Sequence, residues 1–175
     1  MSEIADSGLL EFKERIASAA LLAIVDQWRL ACRTRPMPAW SDLSPSGLAP
    51  HFKRLWAYRY DRVAGEFTAR LAGNRAMVGF GQSFRGTPLK DIHPPHIFEL
   101  AQAHMLKVVT GPMAYYCSGK LFRVGTEVIE GERIMLPLAS DGHNGDGLLG
   151  ATDFAPRVLA GPVELLVGQI EWFVL

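Results

Sequence analysis

The stretch RLWAYRYDRVAGEFTARLA, residues 54–72, carries the alternation on which the fold turns. Residues 54–60 are rich in aromatics. In residues 66–72 Phe67, Ala69 and Leu71 fall on one face of an extended chain, and Thr68, Arg70 and Ala72 on the other. The intervening Asp61-Arg62-Val63-Ala64-Gly65 has the length and composition of a hairpin loop, and Gly73-Asn74 closes the second strand.

Downstream, a short helix is predicted from Asn74, its cap, to Gly79, followed by a glycine-rich stretch through Gly86 and one helical turn over Pro88–Ile92. Pro94-Pro95 opens a longer helix to about Val109. Ile97, Leu100, Ala101, His104, Met105 and Val108 recur in it at helical spacing, and Gly111-Pro112 ends it. The last third reads as strands over 114–124, with a break near Ser118-Gly119, then 127–129, 133–139 and 148–154. Asp141–Gly147 is a loop, and the apolar run 163–175 leans to strand through Val167, Trp172, Phe173 and Val174.

Upstream, residues 8–33 read as one long helix without proline, with Ser7 as its N-cap. Leu9, Phe12, Ile16, Ala20 and Ala23 trace one face and Leu21, Val25, Trp28 and Cys32 a neighbouring one, more apolar surface than one partner hides. Pro36 and Pro38 stop it. Asp42 or Ser44 would then cap a short helix with Pro45 in its first turn and Leu48 and Phe52 facing inward. Helix, hairpin, short helices, longer helix and three antiparallel strands together predict an α+β fold: one antiparallel sheet with helices on a face and a pocket between them.

Composition narrows the function classes. Hydrophobic residues make up 49% of the 175, and 18 basic side chains balance 18 acidic ones, which suits one globular core and gives no electrostatic footprint for nucleic acid. No apolar run is long enough to span a membrane and the first charges, Glu3 and Asp6, are acidic, so a cytoplasmic protein without a membrane partner is expected. Cys32 and Cys117 form no CxxC pair.

Three motifs in order resemble a bacterial family of PAS-like domains of mostly uncharacterised proteins, over about residues 22–154. They are Trp28-Arg29 followed by Pro36, Pro38 and Ser41-Asp42-Leu43-Ser44-Pro45; Phe67–Asn74 followed by Gly79; and Met135-Leu136-Pro137-Leu138 running into Ser140-Asp141-Gly142. The resemblance implies a five-stranded antiparallel sheet with helices on one face, preceded by an N-terminal helix. It also implies a small-molecule site between sheet and helices, and dimerisation through the leading helix. On that basis residues 1–35 are the dimerisation and signalling helix and residues 36–175 the PAS-like domain. The resemblance carries over no catalytic residue.

Several patterns that mimic reactive or metal sites fail on spacing. Asp91-Ile92-His93-Pro94-Pro95-His96 and the later His104 lack the four-residue helical spacing of a metal pair, so no metal is expected. Gly79–Gly86 lacks the third glycine of a dinucleotide loop and the Lys-Ser/Thr of a P-loop. Asp141, Asn144 and Asp146 do not match a calcium loop and read as a turn. No cofactor is required; haem and flavin are not expected.

The expectation is a sensory or regulatory module, not an enzyme, that takes a small apolar or amphipathic ligand and signals through a separate output protein. The alternatives are a ligand-free interaction adaptor, or a small enzyme using Asp91 and His93. Arg70, Asn74, Phe84, His104 and Tyr116 are the candidate ligand contacts. Arg70 is also read as a structural cation, in a salt bridge or with its aliphatic stem packed against the leading helix. Leu21, Leu22, Val25 and Trp28 are the candidate homodimer contacts.

Overall fold

In the computed structural model, which describes residues 2–73, 84–155 and 163–175, the aromatic stretch and its alternating partner form strands β1 (Leu55–Asp61) and β2 (Glu66–Ala72). They pair antiparallel from Asp61↔Glu66 to Trp56↔Ala72. The other edge of β1 pairs with β5 (Gly147–Phe154), Leu55 opposite Ala151 and Arg59 opposite Gly147, so the first hairpin and the C-terminal strands belong to one sheet. Between them in sequence lie β3 (Met113–Val124) and β4 (Glu127–Leu138). The spatial order is β2-β1-β5-β4-β3, all antiparallel.

The final apolar run supplies β6 (Val163–Leu165) and β7 (Gln169–Val174). Both pair with the free edge of β3, β6 along Phe122–Val124 and β7 along Met113–Ser118. The expected five-strand order is thus extended by two short strands covering what would be an open edge. The separate pieces expected over 127–129 and 133–139 are one strand. The break expected at Ser118-Gly119 is only a register shift between Lys120 and Phe122, where Gly119 takes φ +89°.

Helices lie on both faces of the curled sheet. On one, α5 (Pro95–Thr110) and the single turn α4 (Leu89–Ile92) cover a cluster including Phe67, Met105, Val108, Tyr115, Met135 and Leu148. On the other, the chain start packs against Ala57, Ala114, Tyr116, Ile134, Leu136 and Leu149. Alternation explains the division, since Tyr115 and Met135 point one way while Tyr116, Ile134 and Leu136 point the other.

The long helix expected over 8–33 is two helices, α1 (Ser2–Arg15) and α2 (Ala19–Cys32). Propensity allowed continuity, but tertiary partners break it. The Glu132 carboxylate accepts from the backbone N–H groups of Ala17 and Ser18, at 2.8 and 2.7 Å. The Ser18 hydroxyl donates to Asp153 at 2.6 Å and accepts from the Leu21 N–H, capping α2. Gly8 lets α1 lie flat on β7, since a Cβ there would stand 1.9 Å from the Val174 carbonyl oxygen.

Surface on α2 that suggested a second chain is used within this one. Leu21, Ile24, Val25 and Trp28 are at most 2% exposed and belong to the core that also holds Leu55, Ile134 and Leu149. Each such burial is worth about 1.5–3 kcal/mol. Leu22 is partly buried against the same core. The boundary expected at residue 35 falls inside this cluster, with Trp28 and Met37 both members. Ser44 caps α3 (Pro45–Leu48) by accepting from the Gly47 N–H at 3.1 Å. Leu48 is buried, but Phe52, expected to face inward, is 51% exposed. The short helix expected over 74–79 lies outside the described residues.

Candidate functional site

Between the curled sheet and α5 lies a cavity of about 150 Å³. Its floor is built from alternate residues of four strands: Trp56 and Tyr58 of β1, Tyr115 of β3, Arg133 and Met135 of β4, and Thr152 of β5. Its roof is Ala101, His104 and Met105 on one face of α5, with Ile92 and His93 at the α4–α5 joint, and Phe84 and Leu165 stand at its sides. A volume this size matches an apolar protein cavity known to admit benzene.

Three polar side chains of the lining are joined by hydrogen bonds. The Trp56 Nε1–H donates to Thr152 Oγ1 at 3.0 Å, and Arg133 Nε donates to the same oxygen at 3.4 Å. The Trp56 ring lies on Gly150, where a Cβ would meet ring atoms at 2.3–2.4 Å. Glycine at 150 is therefore what lets the indole lie flat on the floor.

Burial governs ionisation here. It pushes the Tyr58 hydroxyl well above its ordinary range. Tyr115 shifts the same way, by burial and then by Cys117 beside it. His93 falls from 6.5 to about 4, through burial first and the Arg133 guanidinium second. His104 is also lowered, by burial, Lys107 and Arg133 in that order. Both imidazoles are neutral near pH 7. The His104 ring sits 5.5 Å from Tyr115 and 5.7 Å from Trp172, an aromatic packing site.

Of the contacts expected from sequence, Phe84 and His104 line the cavity. Tyr116 does not: it is on the opposite face, donating its hydroxyl to Glu132 Oε1 at 2.6 Å. That bond comes second to burial in pushing its hydroxyl up to about 12. Its neighbour Tyr115 takes the cavity position. Arg70 is exposed, its guanidinium carbon 4.7 Å from the Trp40 ring centroid, a cation–π contact in place of a ligand contact. Asn74 lies outside the described residues. His93 reaches the cavity, but Asp91 is exposed and outside its lining, so the pair needed for acid–base chemistry is not assembled. No group of three metal-ligating side chains comes together among the described residues, and none of their helices is long and apolar enough to cross a membrane.

Sequence reasoning missed Trp56, Tyr58, Arg133 and Thr152. Trp56 and Tyr58 share a period-2 face of the recognised β1, which was a usable signal. Arg133 and Thr152 meet through strand register, opposite one another in β4 and β5, which no local pattern encodes.

No curated protein matches the chain. A family model described as PAS domain matches residues 16–153, from the turn before α2 almost to the end of β5. That span holds the five-strand order and most of the cavity lining, and through it the chain belongs to the PAS domain family.

Proposed function

We propose that this PAS domain is a sensory module that takes a small amphipathic molecule into the cavity between sheet and α5 and relays occupancy to the α1–α2 joint. A PAS domain is in general a sensory or regulatory module. The observation that carries the ligand reading is the 150 Å³ cavity, apolar over most of its wall, with a hydrogen-bonded polar group at Trp56, Arg133 and Thr152. The cavity supports this reading over the ligand-free adaptor, whose pocket positions would be filled by the protein's own side chains.

The direction of the relay rests on two adjacent rungs. Arg133 opposite Thr152 faces the cavity, while the next rung, Glu132 opposite Asp153, holds Ala17 and Ser18 on the other face. A ligand that shifts the first rung acts through one backbone step on the second. The output then passes to a separate protein that reads the N-terminal helices.

Native mass spectrometry of freshly purified protein, with Ala101→Leu as the cavity-filling control, tests this reading. A small bound mass on the wild type, lost or reduced in A101L, is expected. A clean protein mass, with no uptake of added benzene-sized probes, overturns it in favour of the adaptor.

A further inference from the structure

We infer that the cavity selects an anion, a small carboxylate on a compact apolar body, with Arg133 and Thr152 as the anchoring pair; this rests on the ligand reading above.

Arg133 is the only formally charged side chain in the lining among the described residues, and no carboxylate shares the lining with it. The nearest acids of β4 and β5, Glu132 and Asp153, face the other side and are held there by Ser18, and Asp153 also by Arg54 at 2.6 Å. Arg133 forms no ion pair among the described residues; its one hydrogen bond is the long contact to Thr152. A guanidinium has five N–H donors and no acceptor.

Thr152 adds a second donor. Its Oγ1 receives N–H groups from both Trp56 and Arg133. A hydroxyl has two lone pairs and one proton, so with both lone pairs engaged it has only a proton left to give. Thr152 is 5% exposed, and its hydroxyl donates to no other group among the described residues. The Tyr58 hydroxyl forms no hydrogen bond among the described residues either, and burial favours its protonated, donating form. At Arg133 and Thr152 the cavity therefore offers donors and one positive charge, and the ligand group that answers them is a planar anion with two acceptor oxygens, matched by the guanidinium fork. The cavity as a whole, walled also by Met105, Phe122 and Met135, is of the size that admits about one six-membered ring.

Titration calorimetry with benzoate, benzamide and benzylamine decides the matter, since the three share one ring and differ in charge. Benzoate is expected to bind at least about tenfold more tightly than benzamide, and benzylamine not at all. Arg133→Gln, its fold checked by circular dichroism, should erase the benzoate advantage while benzamide still binds. The wild-type comparison stands by itself if that variant does not fold. Equal binding of benzoate and benzamide, or an advantage that persists in R133Q, overturns the anion assignment and leaves the cavity reading intact. Saturation by none of the three at millimolar concentration removes the cavity reading and this assignment together.

Discussion

The Glu132 carboxylate, in the middle of β4, accepts the backbone N–H of Ser18 at 2.7 Å and so fixes where α2 begins. Its other oxygen accepts from the Ala17 N–H at 2.8 Å and from the Tyr116 hydroxyl at 2.6 Å. The first N–H groups of a helix have no partner within it, and a negative charge is the best one available. Glu132→Gln replaces one acceptor oxygen by an NH2 group facing a donor. The expected cost is about 1–3 kcal/mol, a fall of several degrees in Tm. Hydrogen exchange should quicken over the α1–α2 joint while the strands stay protected. A uniform change across the chain would deny Glu132 this joint role.

Trp28 on α2 is 2% exposed and donates its Nε1–H to the Pro137 carbonyl at 2.8 Å. Trp28→Phe leaves that buried carbonyl without this donor and opens space in the core that also holds Met37 and Leu136. The expected destabilisation is about 2–4 kcal/mol. Because the indole is spent on this chain's own sheet, light scattering should give the same mass for W28F and wild type. A change in mass with unchanged Tm would place Trp28 at a contact between chains instead.

The sheet was legible because its signals are local. Alternation and turn chemistry place both strands of the first hairpin, and the apolar run 163–175, which leans to strand by composition, supplies two short strands with Val167 between them. The break at 16–18 was not legible, since residues more than 100 positions away cause it. At the candidate site, period-2 reasoning finds a tyrosine pair but not which member faces inward. That parity depends on register with β4, where Tyr115 meets Met135 and Tyr116 meets Ile134. Arg133 was hidden for the same reason: in sequence it sits among Glu130, Glu132 and Ile134 and reads as an ordinary surface cation.

Gly150 tests whether the cavity floor depends on a flat indole. An alanine Cβ there would overlap Trp56 ring atoms at 2.3–2.4 Å, and a bulky aromatic cannot move aside without leaving Thr152. Gly150→Ala is expected to cost about 1–3 kcal/mol. Of the four tryptophan indole N–H resonances, that of Trp56 should shift most, with binding of any cavity ligand weakened. An unmoved Trp56 resonance would mean that the ring does not rest on Gly150.

His93 gives the fold a defined acid sensitivity. Unfolded, its imidazole titrates near 6.5; folded, burial and then Arg133 hold it at about 4. Between those values the unfolded chain binds a proton that the folded chain refuses, so stability falls as pH drops through this window. Above it, His93 contributes no slope. The loss is at most about 3–4 kcal/mol, at about 1.4 kcal/mol per pH unit. Carboxylates titrate in the same range, so the measurement is a comparison: urea unfolding of wild type and His93→Gln at pH about 7.5 and about 4.5. The wild type should lose more stability on acidification than H93Q, because glutamine has no proton to refuse. His104, shifted the same way by burial, Lys107 and Arg133, keeps its slope in both proteins and cancels. Equal acid slopes would put the His93 ring in solvent and remove it from the cavity wall.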